Sequence, residues 1–352
     1  MSEYKLKYTG DDESRYKGEV VYSDEKAKEK PRYFVNIILF IATFVTTTFA
    51  GVAWLQKDPT QLLNFSLGIT YSVLIMLVIT THEFGHYFAA RIHKVPVTLP
   101  YYIPFPFLDL NPFGTMGAVI RMKAHRYTRK GLFDIGASGP IAGWITCLII
   151  LIIGFKSLPG IEYLYNIHPE IAINGLSDKG FHFGENFMFS FIGKVFAPEG
   201  SFIPPMNEVY HYPFLCVGWF GLLITSLNLM PIGQLDGGHI IYCMFPKYYK
   251  TVARIFFVLL LLFGLIGVFP VLEYYDVLKT SGMSPVTDWL LQFGSISWLI
   301  WAILILWVIK IEHPDTVENK TEELDTGRML LGFLCIVIFI TSFTPRLAYD
   351  IK

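Results

Sequence analysis

The sequence predicts an all-α polytopic membrane protein of about seven transmembrane helices, with a small re-entrant β-hairpin between the second and the third. Two observations carry this. Hydrophobic residues make up 53% of the 352 and charged residues only 16%, against about 25% charged in soluble domains, and mean hydropathy is +0.46. The apolar residues are also gathered into runs free of Asp, Glu, Lys and Arg, at 34–55, 59–82, 135–155, 209–235, 255–272, 289–309 and 329–345. A helix needs about 20 such residues to cross hydrocarbon that offers its backbone no water. The net charge of −1 supplies no field for nucleic acid, and the expected surroundings are the lipid bilayer.

Taken in order, residues 1–33 hold as many acidic as basic side chains and no apolar stretch. They are expected to form a solvated cytoplasmic arm, neither a secretory signal nor an acid-poor transit peptide. Lysine and arginine then set the expected orientation. With the N-terminus inside and seven spans, the inner segments 1–33, 91–131, 246–254 and 310–328 carry 21 Lys/Arg and the outer segments 7. This places the N-terminus in the cytoplasm and the tail 346–352 outside, in a cell membrane, with the bacterial cytoplasmic membrane expected. Between the second and third runs, Val95 to Met122 is rich in Pro, Gly and aromatics and reads as a re-entrant hairpin. Gly114, Thr115, Met116, Gly117 and Ala118 are expected to present a strand edge to an unwound substrate; a segment that only plugs the cavity is the competing reading.

The outer insert 156–208 is too short for a typical extra domain. Its phenylalanines, Phe181, Phe183, Phe187, Phe189, Phe191 and Phe196, suggest a segment lying at the membrane interface, with a lid as the alternative. Residues 310–328, carrying Glu312, Asp315, Glu318, Glu322, Glu323 and Asp325, read as a plain acidic loop. Cys147, Cys216, Cys243 and Cys335 lack any paired spacing and read as small buried hydrophobes.

Charge at membrane depth is costly and needs an account. His82, Glu83 and His86 extend the second run in TTHEFGHYFAARIHK. Residues i and i+4 share a helix face, so the two imidazoles can meet one metal while Glu83 stands one step round, which is the HExxH zinc-protease spacing. Chance would supply that pattern about 0.01 times in such a chain. Left without a metal, three buried ionisable groups would cost several kcal/mol.

A catalytic zinc keeps three protein ligands and one open position. Near the motif only His93 and Asp109 offer a third ligand, both in the inner loop region. Asp236, in SLNLMPIGQLDGGHI, closes the long run 209–235 on the same side as the end of the HEFGH span and is the better placed. Pro231 and Gly233 break the helix before it, Gly237 and Gly238 allow close backbone approach, and His239 is a fallback.

Together these residues carry a resemblance. HEFGH, NPFGTMGAVI, GASGPIAG and LNLMPIGQLDGGH, in that order over about residues 66–245, resemble the site-2 protease family of intramembrane zinc metalloproteases. PYYIPFPF, FGTMGAVIRM and LFDIGASGPIAG are most similar to the branch that includes the plant chloroplast members, although the N-terminal arm does not read as a plastid import signal. The resemblance implies a transmembrane protease domain over 34–345 with a site-2 protease core. It implies one Zn2+ per chain on His82, His86 and Asp236, with Glu83 as general base and Asn228 steadying the substrate carbonyl. Gly139 and Gly143 match the family's small-residue motif, where close helix packing is expected. Substrates would be single-span membrane proteins. The chain departs from many bacterial members, since 156–208 is too short for their inserted peptide-binding domain.

Two other readings use the same residues. A membrane protease acting on prenylated peptides takes a glutamate as third ligand, and the only later candidates, Glu273 and Glu312, lie at span edges. A non-proteolytic metal transporter or scaffold could use His82, His86 and Asp236 as a transit site. Glu83 discriminates, because only proteolysis needs a base.

Overall fold

The computed structural model describes residues 33–124, 126–274, 293–319 and 321–351; all of the expected N-terminal arm except Tyr33 lies outside the described residues. In chain order the elements are α1 (Tyr33–Trp54), α2 (Phe65–Ile92), β1 (Tyr101–Pro104), β2 (Thr115–Val119), α3 (Arg129–Lys156), α4 (Glu162–Tyr165), α5 (Ile171–Asn174), β3 (Gly180–Phe183) and α6 (Phe187–Phe196). They continue with α7 (Pro213–Asn228), α8 (Asp236–Met244), α9 (Tyr249–Ile266), α10 (Val268–Tyr274), α11 (Ser297–Leu304), α12 (Thr326–Ser342) and β4 (Ala348–Ile351). Within the described residues each apolar run therefore contains a helix. Four stretches, 33–54, 62–92, 129–156 and 249–272, are long and apolar enough to cross a membrane by length and composition. Those containing α7, α11 and α12 are apolar but shorter, at 10–17 residues.

Run 209–235 is not one helix. Pro231 and Gly233 stop it, α7 ends at Asn228, and the chain turns before restarting as α8. Run 59–82 shows the opposite: α2 continues ten residues beyond His82 to Ile92, because its charged groups turn into the bundle.

The first helices pack backbone to backbone. A Cβ on Gly68 of α2 would lie 2.0 Å from the Thr48 carbonyl of α1, and Thr47 Oγ1 and Ser72 Oγ hydrogen-bond across the seam at 2.6 Å. Small residues and hydroxyls are how helices associate where lipid removes the hydrophobic drive.

The segment after α2 forms an antiparallel hairpin, Tyr101 opposite Val119 and Tyr102 opposite Ala118, with an irregularity before Pro104 pairs with Thr115. It runs along α1. The Asn36 amide donates to the Leu99 and Pro100 carbonyls and the Trp54 indole donates to the Pro112 carbonyl, anchors 18 residues apart and so roughly 27 Å along the helix.

The insert holds α4, α5, β3 and α6, and the end of the described chain returns to it: β4 pairs antiparallel with β3, Gly180 opposite Ile351 through Phe183 opposite Ala348. Its aromatics divide. Phe187 and Phe191 are exposed and stacked on each other, whereas Phe183 and Phe189 are buried, Phe183 lying flat on Trp219 of α7 at 4.3 Å. The four cysteines are buried and free.

Residues 310–328 are more than a loop. The Gly233 amide donates to the Ile311 carbonyl, Glu312 bridges Lys250 and Arg254 of α9, and Tyr242 of α8 donates to Asp315. The Arg129 backbone N–H and guanidinium, at the start of α3, bind the Glu322 carboxylate and carbonyl. Asp325 accepts from the Arg328 amide as the N-cap of α12. Glu312, Asp315 and Glu322 thereby tie the segment as a strap to α9, α8 and α3, through donors far from them in the sequence.

Candidate metal centre

Two helices and one turn assemble the site. His82 and His86 lie one turn apart on α2, with their Nε2 atoms 3.0 Å apart. Asp236 is the first residue of α8, and its Oδ2 is 3.4 Å from both nitrogens. His82, Glu83 and His86 are each only 7% exposed.

The turn between α7 and α8 delivers the aspartate. Gly233 takes a φ of +52°, a left-handed conformation that glycine adopts without steric cost. A Cβ on Gly237 would lie 2.0 Å from the Leu229 carbonyl, so the turn closes directly onto the first residues of α8. Leu235 occupies the N-cap position and no side chain makes a capping bond. The Asp236 carboxylate is therefore free to face the imidazoles.

From the other side α3 supplies a smooth wall. A Cβ on Gly139 would sit 2.1 Å from His86 Nε2, one on Gly143 would sit 3.3 Å from His82 Cβ, and one on Gly136 would meet His239 Cβ at 2.9 Å. Gly85 of α2 is pressed in return against the Ser138 carbonyl. Spaced i, i+3 and i+7, Gly136, Gly139 and Gly143 lie on one helical face, and that face is what lets three helices meet at the histidines.

Hydrogen bonding fixes the chemistry of the donors. His86 Nδ1 lies 2.6 Å from the Ile135 carbonyl; a carbonyl only accepts, so Nδ1 carries the proton and Nε2 keeps its lone pair. Asn228 Nδ2 is 3.3 Å from His82 Nε2, an arrangement in which the amide donates and that nitrogen too presents a lone pair. Two imidazole lone pairs and a carboxylate oxygen thus converge. Tetrahedral zinc with bonds of about 2.0–2.2 Å holds its donors about 3.3 Å apart, and the observed 3.0 and 3.4 Å separations fit that ion.

Glu83, one residue beyond His82, lies against the Ile120 backbone N–H at the end of β2. Thr80 and Tyr102 hydroxyls, 2.8 Å apart, tie α2 to β1 just above it. Thr115, Met116, Gly117 and Ala118 form β2 with Val119, while Gly114 at the strand's outer end packs against the Thr46 carbonyl of α1. Among the described residues β2 pairs with β1 alone, and nothing lies within 4 Å of where a Gly117 Cβ would be.

The remaining candidates are engaged elsewhere. His93 Nε2 bonds Asp134 at 2.7 Å, Asp109 is exposed on the hairpin turn, and His239 Nδ1 faces His313 Nε2 at 2.6 Å. Sequence reasoning missed the Ile135 carbonyl, Gly85 and Gly136; GASGPIAG begins at Gly136 and held the signal for that glycine. It also missed a second His/Glu/His group, shared between the insert and the turn into α7.

Residues 70–265, more than half of the chain, match Peptidase family M50. The chain is similar to the probable zinc metalloprotease EGY2, chloroplastic, of Oryza sativa subsp. indica, 26% identical over 326 residues that cover 91% of this chain and 52% of that protein. It is similar also to EGY2 of Arabidopsis thaliana, 28% identical over 251 residues (70% of this chain, 42% of that protein), and to Arabidopsis EGY1, 25% identical over 238 residues (61% and 40%). The chain spans about half the length of the first of these relatives. A zinc-fitting His/His/Asp group enclosed by apolar helices, inside the matched residues, leads to one assignment: the chain belongs to Peptidase family M50, the site-2 protease family, and is similar to its chloroplast-type members.

Proposed function

We propose that the protein is an intramembrane zinc metalloprotease that hydrolyses a peptide bond within or near the transmembrane helix of a single-span, membrane-anchored substrate. The observation that carries this is Glu83: a buried carboxylate beside the His82, His86 and Asp236 donors and at the end of a strand with one open edge. A metal transit site has no use for that base.

His82, His86 and Asp236 would hold the zinc, which when bound supplies a Lewis acid able to acidify a water and polarise a carbonyl. Glu83 takes a proton from the water on a carboxylate oxygen and returns it to the leaving amide nitrogen. Asn228, its amide already turned to the site, donates to the substrate's carbonyl oxygen. A helical peptide bond is shielded and hydrogen-bonded, so the substrate unwinds first, and its freed N–H and C=O groups need partners at membrane depth. The free edge of β2, from Gly114 to Ile120, offers them by strand addition and leads to Glu83. In this reading the hairpin is re-entrant in the bilayer.

The orientation proposed is the one with the Lys/Arg-rich side inward and seven spans, the N-terminus and the site's water access on that side. His82 lies about nine residues before Arg91, roughly 13 Å of helix from that face. The relatives are chloroplastic by name. The host membrane proposed is nonetheless the bacterial cytoplasmic membrane, because residues 1–33 do not read as an acid-poor transit peptide.

Glu83→Gln is the test. The variant should retain its zinc and lose cleavage of a membrane-anchored reporter by at least about a hundredfold, and short single-span fragments should accumulate with it in its host. A Glu83→Gln protein that still cleaves at the wild-type rate removes the proteolytic mechanism.

A further inference from the structure

Among the described residues a second group of three side chains brings donor atoms together: His168, Glu208 and His211. His168 follows α4, and Glu208 and His211 lie in the turn that leads into α7. Asn228 and the first centre are at the far end of that helix, whose 16 residues separate the two groups by roughly 24 Å.

The arrangement repeats that of the first centre. The Nε2 atoms of His168 and His211 are 3.0 Å apart, the same separation as between His82 and His86. Glu208 Oε2 is 3.6 Å from His211 Nε2 and 3.9 Å from His168 Nε2. The outer nitrogens are spoken for. His211 Nδ1 lies 2.9 Å from the Trp54 carbonyl, and His168 Nδ1 is 3.2 Å from Glu170 Oε1. A carbonyl and a carboxylate both accept, so each imidazole in its neutral form carries its proton on Nδ1 and turns a lone pair inward.

Two lone pairs facing at 3.0 Å repel unless something positive lies between them. Glu208 Oε2 sharpens the point. It is buried, has no hydrogen-bond partner, and belongs to a residue only 7% exposed. A buried carboxylate oxygen without a donor costs several kcal/mol. One cation would answer all three groups, and an outer hydrogen bond on each ligating histidine is how proteins orient such ligands.

We propose that His168, Glu208 and His211 form a second site for a divalent cation of the zinc class, at the opposite end of α7 from the first. Two imidazoles and one carboxylate suit zinc and its late first-row neighbours over magnesium or calcium, which take oxygen ligands. The site ties the insert through His168 to the start of α7, and through the Trp54 carbonyl to the end of α1. It is a clamp on the outer layer, and it contains no base placed as Glu83 is placed.

The test is metal stoichiometry on full-length protein in detergent, stripped with chelator, reloaded with zinc alone, dialysed and analysed by elemental mass spectrometry. Wild type should hold two zinc ions per chain. His82→Ala/His86→Ala should hold one, and adding His168→Ala should leave none. X-ray absorption at the zinc edge of the His82→Ala/His86→Ala protein should show two imidazoles with an oxygen donor. His168 is the least buried of the three, so His168→Gln serves where the alanine variant fails to fold. It should lower the stoichiometry by one and shrink the zinc-dependent rise in the thermal midpoint while cleavage by the first centre persists. One zinc per chain in the wild type, or two retained in folded His168→Gln, overturns the proposal; a proton shared between the imidazoles then accounts for their spacing.

Discussion

Gly139 carries as much of the first centre's geometry as a ligand does. Any side chain there would occupy the space of the His86 imidazole, 2.1 Å from Nε2, and the flanking Ile135 carbonyl holds the same ring through Nδ1. Gly139→Ala should therefore weaken zinc binding by at least about tenfold, the scale on which disturbed ligand support acts. Gly143→Ala, whose Cβ would meet His82 at 3.3 Å, should do much less. Competition with a fluorescent zinc chelator checks both, and equal effects would count against the steric account. HExxH was legible because one turn of helix contains it, and Asp236 because an unpaired charge closes an apolar run. The Ile135 carbonyl was not: every residue has one, and only packing decides which meets an imidazole.

At the scale of elements, the hairpin and the strap make separate demands. If the β2 edge receives substrate, Ala118→Pro should lower cleavage more than about tenfold and leave zinc content unchanged, because proline removes a strand N–H without touching a ligand. Wild-type cleavage by that variant would end the strand-addition idea. The strap is held to α3 by Arg328, which binds both carboxylate oxygens of Asp134 at 2.8 and 2.6 Å. Arg328→Met should cost about 1–2 kcal/mol, as for a charge-assisted bond that solvent partly reaches, read as a lower midpoint in detergent unfolding.

The strap also has an acid limit. Hydrogen bonds from Arg254 and Lys250 hold the Glu312 carboxyl below its ordinary range, and the Arg328 backbone and side chain do the same for Asp325. For groups depressed in the folded state, the contribution is full above the ordinary carboxylate range and fades as pH falls through and below it. Amide protection factors over residues 311–319 and 321–325, corrected for the intrinsic pH dependence of exchange, should fall below about pH 4 and stay flat from neutral pH down to about pH 5. Composition marked this segment as a plain acidic loop; that its partners lie on three other helices is decided by packing and is not written in the local sequence.

For the whole molecule, hydropathy located the four stretches long and apolar enough to cross a membrane among the described residues, since apolar length is a property of the chain itself. It could not assign the insert's aromatics, because Phe183 faces Trp219 and Phe187 faces outward under one composition. The β3–β4 pair constrains the molecule further. Two strands that share backbone hydrogen bonds cannot lie on opposite sides of a bilayer, so the chain must traverse it an even number of times between Phe183 and Ala348. Among the described residues of that interval only one stretch, 249–272, is long enough to cross by length and composition. Counted over the described helices, an odd number of the shorter apolar ones has to cross with it, and the proposed seven-span reading, which takes α7, α11 and α12, is compatible with that parity. Cysteine labelling from each side of a sealed membrane should find Ser177 and Arg346, once each is replaced by cysteine, on the same face. Opposite faces would mean that the sheet does not form in the bilayer.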